Sequence, residues 1–553
     1  METTRAFGWS VGLFFFSIRF AATFFYSLPG DGNVYIFLAG RMLDGEHYFT
    51  DFFEYNTPFA VGLYALPLMM GRWLGAPDVV SAKLFIGLLC LLSVGLVHLL
   101  IRGSKEWSTP LRYNAIIIAI FCAFSFCFFE WTTKSLPFIC LVLPYIFSLH
   151  LRIEKTNLPP TMNYVTGVFQ GLVILLKPHY ALFFLVTEFY LAWRMRSWKI
   201  WFRLSNYLAA LVVVIGDALI LPFFFSGYLE GLFYFVIYYS AAMIGWVGWV
   251  DNFITTLLYL LPLLLWQLAV RRVSEPRLST GVFMAAMVAQ CMVLYSELLL
   301  SYDQKSLLVF FIAVLLLYSL LLFLYAPLPV RHSIGWVGKG VAGVACVLAS
   351  VTIFRVNDFI YMLSPHVPAR DVVSEAVLEY TQRYAPHEPI YIMSESVEHT
   401  LIPLLSREKQ PYPVFHTVRP LVDMADRKAL FLSRGEYDEW QKAEAYYYDS
   451  VLRFFEKTPP RLVFVSTRHA FRELGEHCLP VALDIMLADN AEFAALWTHY
   501  RKIGSIITSK DEKFMEERKV YHATLMVDGQ SRPALFPVES PMGSWLDVYL
   551  RRD

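Results

Sequence analysis

Long apolar runs between residues 7 and 354 constrain this 553-residue chain more than any other feature. A helix of roughly 20 apolar residues crosses the hydrocarbon core of a membrane, and the first run, 7–28, is long enough. Charged side chains gather between the runs. The pattern predicts an α-helical polytopic membrane domain of roughly 10–12 spans. Further runs lie at 57–74, 80–101, 114–129, 136–151, 164–176, 180–193, 206–225, 231–250, 253–270, 280–300, 306–326 and 335–354.

The composition excludes several classes of function. Hydrophobic residues make up 57% of the chain and charged residues only 17%, which is typical of a membrane protein with a sizeable polar part. A formal net charge of zero argues against a nucleic-acid partner, which favours a basic surface. All cysteines except Cys478 lie in apolar runs, so we expect small buried hydrophobes and no disulfide framework. No spacing of cysteine and histidine suggests a metal site.

The basic residues predict how the membrane domain is oriented. The segments 102–112, 152–155, 194–203, 271–277 and 331–339 are rich in arginine and lysine, and we expect them in the cytoplasm. The N-terminus is then cytoplasmic, the first span is uncleaved, and residues 30–58 lie outside. Two full crossings between residues 58 and 101 conflict with this assignment, because they would put 102–112 outside. Either the run 57–74 is partly re-entrant, or that basic segment breaks the rule.

The chain changes character near residue 357, where charged residues become frequent and apolar runs shrink to strand length. We therefore expect a membrane domain over residues 1–355 and a small soluble α/β domain over 356–553. It has no phosphate-binding glycine loop and no metal-ligand spacing, so we expect it to shape access to an acceptor or to be structural. Predicted strands lie at 389–393 and 461–466, a predicted strand pair at 503–508 and 520–527, and predicted helices at 372–384, 396–405, 443–455 and 490–499.

One polar stretch, residues 30–58, is unusual because it places acidic side chains between two apolar runs, among them Asp31, Asp44, Asp51 and Glu54. A loop of this kind between membrane spans would hold carboxylates at the boundary between lipid and water. We therefore interpret it as the catalytic loop of a membrane enzyme.

Turn-forming residues divide this stretch. It opens with Pro-Gly-Asp-Gly-Asn, and a second turn is predicted after residue 43, at Asp-Gly. A short amphipathic helix over 33–43 is predicted between the turns, with Tyr35, Leu38 and Met42 on one face and Arg41 off that face. An aromatic and acidic run follows, ending in Asn-Thr-Pro.

An early Asp, a Tyr one turn later and an ending of the form aromatic-x-Asp-x-x-x-x-Asn-x-Pro together resemble the GT-C superfamily of membrane glycosyltransferases. The stretch is most similar to the branch that uses polyprenyl-phosphate sugars, which includes protein O-mannosyltransferases and lipid A aminoarabinose transferases. GVFQGLVILLKPH, residues 167–179, resembles the Gly…Gly-Leu…Leu-Lys-Pro helix of that branch. Many relatives have Asp-Glu where this chain has Asp31-Gly32. The matching residues are Asp31, Tyr35, Ala39, Gly45, Tyr48, Asp51, Asn56 and Pro58.

The resemblance implies an inverting transfer of a sugar from a polyprenyl-phosphate carrier to the hydroxyl of a cell-envelope glycan, a lipid or a protein. Asp31 is then the general base that deprotonates this hydroxyl, a role worth roughly 10²–10⁴-fold in rate. The departing phosphate needs positive charge. Lys177 is the first candidate for it and His179 the second, and Arg41 and Lys305 are weaker candidates.

The same resemblance implies the remaining substrate contacts. Asp51 and Glu54 are candidates to bind the acceptor or the sugar, and Tyr35 and Asn56 complete the predicted substrate-binding set. A monophosphate carrier does not require a divalent metal, so we expect no metal and no cofactor. The expected location is the bacterial inner membrane, with transfer on its outer face and the C-terminal domain in the periplasm.

Each of these residues also has a structural interpretation. A purely structural Asp31 would cap the helix over 33–43 or stabilise the turn before it. Lys177 is equally typical of a span end, where a lysine reaches toward the lipid head groups. His179 beside a proline suits a structural interface. Gly167 and Gly171, four residues apart, indicate close helix packing.

Other functions remain open from the sequence alone. A ligase could move a whole oligosaccharide from a diphosphate carrier, but outer-side cations are sparse. A transporter or flippase would favour internal repeats and charges at mid-membrane depth, whereas most charges here lie at span ends. A non-catalytic scaffold of an envelope complex would leave the Asp31 pattern unexplained.

Overall fold

The structure, a computed structural model, describes residues 2–24, 30–47, 52, 57–104, 109–127, 135–153, 160–221, 227–229, 231, 372–393, 437–466, 482–507, 523–527, 530–534 and 545–552. These residues belong to two compact units. The first unit holds those up to residue 32 and those from 57 to 221. The second holds those from 33 to 52, from 227 to 231 and from 372 onward. The predicted domain boundary at residue 355 falls outside the described residues.

The predicted apolar runs up to residue 225 are helical wherever the structure describes them. The five runs predicted after residue 230 lie outside the described residues, apart from residue 231. The helices are α1 (Glu2–Thr23), α2 (Gly30–Leu43), α3 (Pro58–Trp73), α4 (Asp78–Gly103), α5 (Pro110–Cys127), α6 (Ser135–Ile153), α7 (Pro160–Leu176), α8 (Ala181–Arg194) and α9 (Leu204–Val214). Short 3₁₀ turns at Pro178–Tyr180 and Trp198–Phe202 flank α8, and a π-helical turn at Ile215–Ile220 extends α9.

Helix α4 has 26 residues, or about 39 Å at 1.5 Å per residue, and is the helix in the described part of the chain that is long and apolar enough to cross a membrane. The other apolar helices of the first unit are shorter. Their apolar segments are Ala6–Ala21, Pro110–Ser125, Leu136–Leu149, Pro160–Leu176, Ala181–Trp193 and Leu204–Ile220.

Side-chain contacts fix the relative directions of α1 and α4. The Trp9 and His98 rings meet edge to face at the start of α1 and near the end of α4, with centroids 5.6 Å apart. At the opposite ends of the two helices, Lys83 Nζ donates to the carbonyl oxygen of Thr23 at 2.6 Å. The two helices are therefore antiparallel, and α4 begins where α1 finishes.

The other helices of this unit continue the alternation. Helix α5 is parallel to α1, because Gly8 N donates to Asn114 Oδ1 near the start of both helices and Arg19 Nε donates to the Ser125 carbonyl near their ends. Helices α6 and α8 begin at the same end of this unit, where the Phe138 and Tyr180 rings stack. Helices α4, α6 and α8 therefore finish at the end opposite to the one where α1 and α7 finish. The described residues of the three basic segments, 102–104 with 109–112, 152–153 and 194–203, lie at these helix ends.

Helix α3 is shorter than α4. It has 16 residues, or about 24 Å, and its last turn adjoins the first turn of α4. There Arg72 Nε and Nη2 donate to the two carboxylate oxygens of Asp78 at 3.1 and 2.9 Å. Its first residue follows Thr57, which contacts the C-terminus of α7. Both ends of α3 thus lie at the end of the unit where α1 and α7 finish, and α4 runs from there to the opposite end. The order of membrane crossings stays a prediction.

Two glycines hold α7 against α9, as the sequence predicts. A Cβ atom on Gly167 would lie 2.5 Å from the Ser205 carbonyl oxygen, and one on Gly171 would lie 2.5 Å from Val212 Cβ. Gly216, in the π-helical turn, adjoins Leu175 in the same way. The contacting residues follow one another in the same order along α7 and along α9. The two helices are therefore parallel and in backbone contact.

The second unit contains a small mixed sheet and several helices. Strands β1, β2, β6 and β3 form a four-stranded sheet in that spatial order, with β1 parallel to β2 and the other neighbours antiparallel. Strands β4 and β5 form a separate antiparallel pair. The elements are α10 (Val372–Tyr384), β1 (Ile390–Met393), α11 (Tyr437–Lys457), β2 (Leu462–Ser466), α12 (Ala482–Asp489), α13 (Ala491–Trp497), β3 (Tyr500–Ile507), β4 (Ala523–Val527), β5 (Gln530–Ala534) and β6 (Trp545–Arg551).

Most predicted elements of this unit are present, but one predicted pairing is wrong. The segments 503–508 and 520–527 do contain strands, yet β3 pairs with β6 and β4 pairs with β5. Alternating apolar residues predict a strand without specifying its partner, and β6, unforeseen in the sequence, lies between β2 and β3. The helix predicted at 396–405 lies outside the described residues.

Aromatic side chains pack on both faces of the sheet. Phe464 of β2 meets Tyr380 of α10 on one face, with ring centroids 6.4 Å apart. Tyr391 of β1 meets Phe455 of α11 on the other face, at 5.2 Å. A helix thus covers each face of the sheet, as expected of an α/β unit.

Candidate functional site

The acidic stretch contains the predicted helix, which begins earlier than the sequence indicates. Helix α2 starts at Gly30, so the predicted opening turn is its first turn and Asp31 is its second residue. Capping of a helix that starts at residue 33 is therefore the wrong structural interpretation of Asp31. The first turn of a helix favours a negative side chain, because the backbone N–H groups there are unpaired. Tyr35 and Leu38 are buried, as predicted, and Met42 is half-buried.

Arg41 organises the residues that follow α2. Its guanidinium forms an ion pair with Glu46 and lies 5.8 Å from the Phe37 ring centroid and 5.4 Å from that of Phe52, which is fully buried. Gly45, in the predicted turn between Arg41 and Glu46, has φ +91°, a conformation that favours glycine. We call this group, which consists of Phe37, Arg41, Gly45, Glu46 and Phe52, the arginine clasp. Its position favours a structural role for Arg41.

The end of the acidic stretch is tied to the end of α7. The Thr57 hydroxyl lies 2.9 Å from the Leu175 carbonyl oxygen and 2.8 Å from that of Leu176. Carbonyl groups in the last turn of a helix have no partner within that helix, so the threonine supplies the donor that they lack. Pro58 then starts α3, where the missing N–H of proline costs nothing. This contact places Thr57 next to the residue that follows α7, Lys177.

An apolar recess lies beside Lys177. Its enclosed volume is about 20 Å³, roughly the space of one water molecule. Phe138 of α6 stacks on Tyr180 in its wall, with ring centroids 3.8 Å apart and planes 22° apart. Among the described lining residues, Lys177 provides the one charged side chain. The lining residues are Ala60, Leu63, Pro137, Phe138, Leu176, Lys177 and Tyr180.

Comparison with solved structures gives weak similarities over most of the chain. ArnT from Cupriavidus metallidurans, in its apo state, is 12% identical with a TM-score of 0.41, and the match covers 83% of this chain and 92% of ArnT. The same protein bound to undecaprenyl phosphate is 14% identical with a TM-score of 0.39, and the match again covers 83% of this chain and 92% of ArnT. The arabinofuranosyltransferase AftD from mycobacteria is 10% identical with a TM-score of 0.43, covering 98% of this chain and 40% of AftD.

Two GT-C glycosyltransferases of known structure are thus similar to this chain. They belong to the superfamily that the sequence resembles. No protein-family model and no curated protein sequence matches the chain.

The structure brings together some of the predicted site residues. Lys177 lines the recess, and His179 lies in the 3₁₀ turn that follows it. Tyr35 and Arg41 share α2 with Asp31. Asp51, Glu54, Asn56 and Lys305 lie outside the described residues, so their substrate contacts stay predictions.

The sequence analysis missed three residues that organise this region: Thr57, Glu46 and Phe52. Thr57 appeared only as the residue before Pro58, although a threonine directly before a helix is a usual donor or cap. Glu46, five residues after Arg41 across an Asp-Gly turn, was a findable partner for that arginine. Within the described part of the chain, no group of three or more histidine, cysteine or acidic side chains is placed to hold a metal ion.

Proposed function

We propose that this chain is an integral membrane glycosyltransferase that moves a sugar, with inversion, from a polyprenyl-phosphate carrier to an acceptor hydroxyl. One observation carries the proposal: the two hydrogen bonds of Thr57 join the end of the acidic stretch to an apolar recess with a lysine at its edge. The acceptor is a cell-envelope glycan, a lipid or a protein.

The chemistry of the recess suits a phosphate on an isoprenoid chain. Aliphatic and aromatic side chains favour the chain by removing its surface from water, and a single ammonium group favours the phosphate. The enclosed space is only about 20 Å³, so the phosphate would lie at the mouth of the recess and the isoprenoid chain would extend into the lipid. A soluble nucleotide-sugar donor would instead need partners for its base and ribose hydroxyls, and the described lining offers mainly apolar side chains.

The proposed reaction is a single displacement. Asp31 takes the proton from the acceptor hydroxyl, the oxygen attacks the anomeric carbon, and the bond from that carbon to the phosphate oxygen breaks on the opposite side. The polyprenyl phosphate leaves with the electron pair, and Lys177 stabilises its negative charge, with His179 and Lys305 as further candidates. Asp51, Glu54, Asn56 and Tyr35 are proposed substrate contacts. No step in this scheme requires a divalent metal.

The alternating helices support the proposed location. The described residues of the three basic segments lie at one end of the first unit, and the recess lies near the other end, where α7 finishes. With the basic end in the cytoplasm, the recess opens toward the outer face of the membrane. We propose the bacterial inner membrane, with a cytoplasmic N-terminus and residues 356–553 in the periplasm.

The test is transfer of label from a panel of undecaprenyl-phosphate sugars to a membrane-glycan extract by the purified full-length protein. We expect the Asp31→Asn variant to lose transfer but to keep its affinity for undecaprenyl phosphate. The Lys177→Met variant should lose that affinity, whereas Lys442→Met, at an exposed position of α11, should behave as the native protein.

Different failures of this test have different meanings. Equal transfer by the native and Asp31→Asn proteins would move the base to Asp51 or Glu54. No transfer from any monophosphate donor would point to a ligase with a diphosphate carrier. Carrier binding and outward movement without transfer would indicate a flippase.

A further inference from the structure

The connection between α8 and α9, residues 195–203, has a fixed shape. Ser197 N donates back to the Ala192 carbonyl at 3.0 Å, which closes the end of α8. Asn206 Nδ2 donates to the Ile200 and Trp201 carbonyls at 3.4 and 3.2 Å, which holds the 3₁₀ turn against α9. Ile200 is buried. We call residues 193–203 the aromatic-basic connector.

This rigid segment exposes three large aromatic side chains. Trp193 and Phe202 are each 70% exposed and Trp198 is 64% exposed. Phe189 of α8 meets the Trp198 ring edge to face at 6.0 Å, which fixes the ring's direction. Amphipathic aromatic rings held outward at the end of apolar helices are typical of the layer between lipid tails and water.

Positive charges alternate with these rings, and no acidic residue lies among them in the sequence. Arg194, Arg196, Lys199 and Arg203 lie within ten residues, and residues 189–216 contain no Asp or Glu. Arg196 and Lys199 are exposed. The acidic residue that precedes this range, Glu188, already accepts hydrogen bonds from other side chains.

Glu188 belongs to a buried cluster of polar side chains. Arg152 Nη1 and Nη2 donate to its two carboxylate oxygens at 2.6 and 2.5 Å, and the Tyr145 hydroxyl donates at 3.0 Å. Both side chains of the ion pair are 3% exposed. Arg196 and Lys199 therefore place two exposed positive charges on the connector, whereas Arg203 is half-buried within electrostatic reach of Arg152 and Glu188.

We propose that the aromatic-basic connector binds the head groups of anionic phospholipids, with arginine and lysine on the phosphates and the aromatic rings at the glycerol level. Charge complementarity selects an anionic lipid, because a zwitterionic head group offers no net charge to the exposed Arg196 and Lys199. The proposal requires a membrane but not glycosyl transfer, so it stands or falls independently of the proposed reaction.

The test is native mass spectrometry of the full-length protein in detergent, titrated with dioleoyl phosphatidylglycerol and, separately, with dioleoyl phosphatidylcholine. We expect tighter binding of phosphatidylglycerol. In the double variant Arg196→Gln/Lys199→Gln its affinity should fall roughly 10- to 30-fold, since each basic residue near an anionic surface contributes about 1 kcal/mol. The variant Trp198→Ala/Phe202→Ala should bind both lipids with lower affinity than the native protein.

The control variant Lys442→Gln/Arg453→Gln removes two exposed charges from α11 and should bind both lipids as the native protein does. Equal affinity of the native protein for the two lipids would overturn the proposal. So would unchanged phosphatidylglycerol binding by Arg196→Gln/Lys199→Gln. A native dimer that the connector variants convert to monomer, with lipid binding unchanged, would overturn it in favour of a second copy of the chain.

Discussion

The Thr57 hydroxyl donates to the Leu176 carbonyl oxygen at 2.8 Å, across 119 residues of the chain. A hydrogen bond of this kind contributes about 1 kcal/mol, more when its loss leaves buried carbonyls unpaired. We expect Thr57→Val to lower the affinity for undecaprenyl phosphate by roughly 5- to 10-fold, because the recess loses its tie to α3. A lipid titration by native mass spectrometry measures this.

Thr187→Val is the matched control for that variant. Thr187 is buried, and its hydroxyl donates within its own helix, to the Phe183 carbonyl at 2.7 Å. Equal loss of carrier affinity in both variants would show that the effect is general destabilisation and that the Thr57 tie has no special role.

The packing of α7 on α9 predicts opposite effects for two glycine substitutions. Gly167→Ala should destabilise the protein by roughly 1–3 kcal/mol, because its Cβ would lie 2.5 Å from the Ser205 carbonyl oxygen. Gly95→Ala in α4 meets nothing within 4 Å and should stabilise by about 0.5–1 kcal/mol through helix propensity. Thermal unfolding in detergent compares them, and equal midpoints would contradict the close helix contact.

The buried pair of Arg152 and Glu188 predicts a loss that a second substitution reverses. Glu188→Gln should destabilise by roughly 3–5 kcal/mol, because it leaves an arginine charge buried without its partner. The double variant Arg152→Met/Glu188→Leu should recover most of that loss, since apolar side chains of similar size need no partner. A double variant less stable than Glu188→Gln alone would contradict this account.

The position of α3 predicts which side of the membrane two cysteines occupy. In a cysteine-free background, Leu74→Cys at the exposed turn after α3 should react with an impermeant maleimide on intact cells. Gly103→Cys, at the exposed end of α4, should react only after permeabilisation. Labelling of both positions from outside would mean that α3 also crosses the membrane.

The arginine clasp predicts that charge alone will not replace Arg41. Arg41→Lys keeps the pairing with Glu46 but loses the planar contact with Phe37 and Phe52. We expect lower transfer with unchanged affinity for undecaprenyl phosphate, measured in the same preparations. A loss of carrier affinity would instead support the original prediction that Arg41 contacts the phosphate.

The sequence predicted those features that depend on local patterns. Apolar runs predicted α1 and α3 to α9, an amphipathic pattern predicted α2, and the Asp-Gly pair predicted the turn at Gly45. Two glycines four residues apart predicted that α7 packs closely on another helix, without identifying α9. Features that depend on distant partners were not predictable in this way. The hydrogen bonds from Thr57 to Leu175 and Leu176, and the pairing of β3 with β6, join segments whose patterns fit many partners.

The glycine contacts between α7 and α9 have a mechanical consequence. At Gly167 and Gly171 the nearest atoms of α9 include the Ser205 and Ala209 carbonyl oxygens, so almost no side-chain layer separates the two helices and they resist sliding past each other. Asn206, which holds the aromatic-basic connector, lies near one end of this helix pair, and Leu176, which precedes Lys177, lies at the other. We expect a displacement of the connector to be carried along the two helices toward the recess.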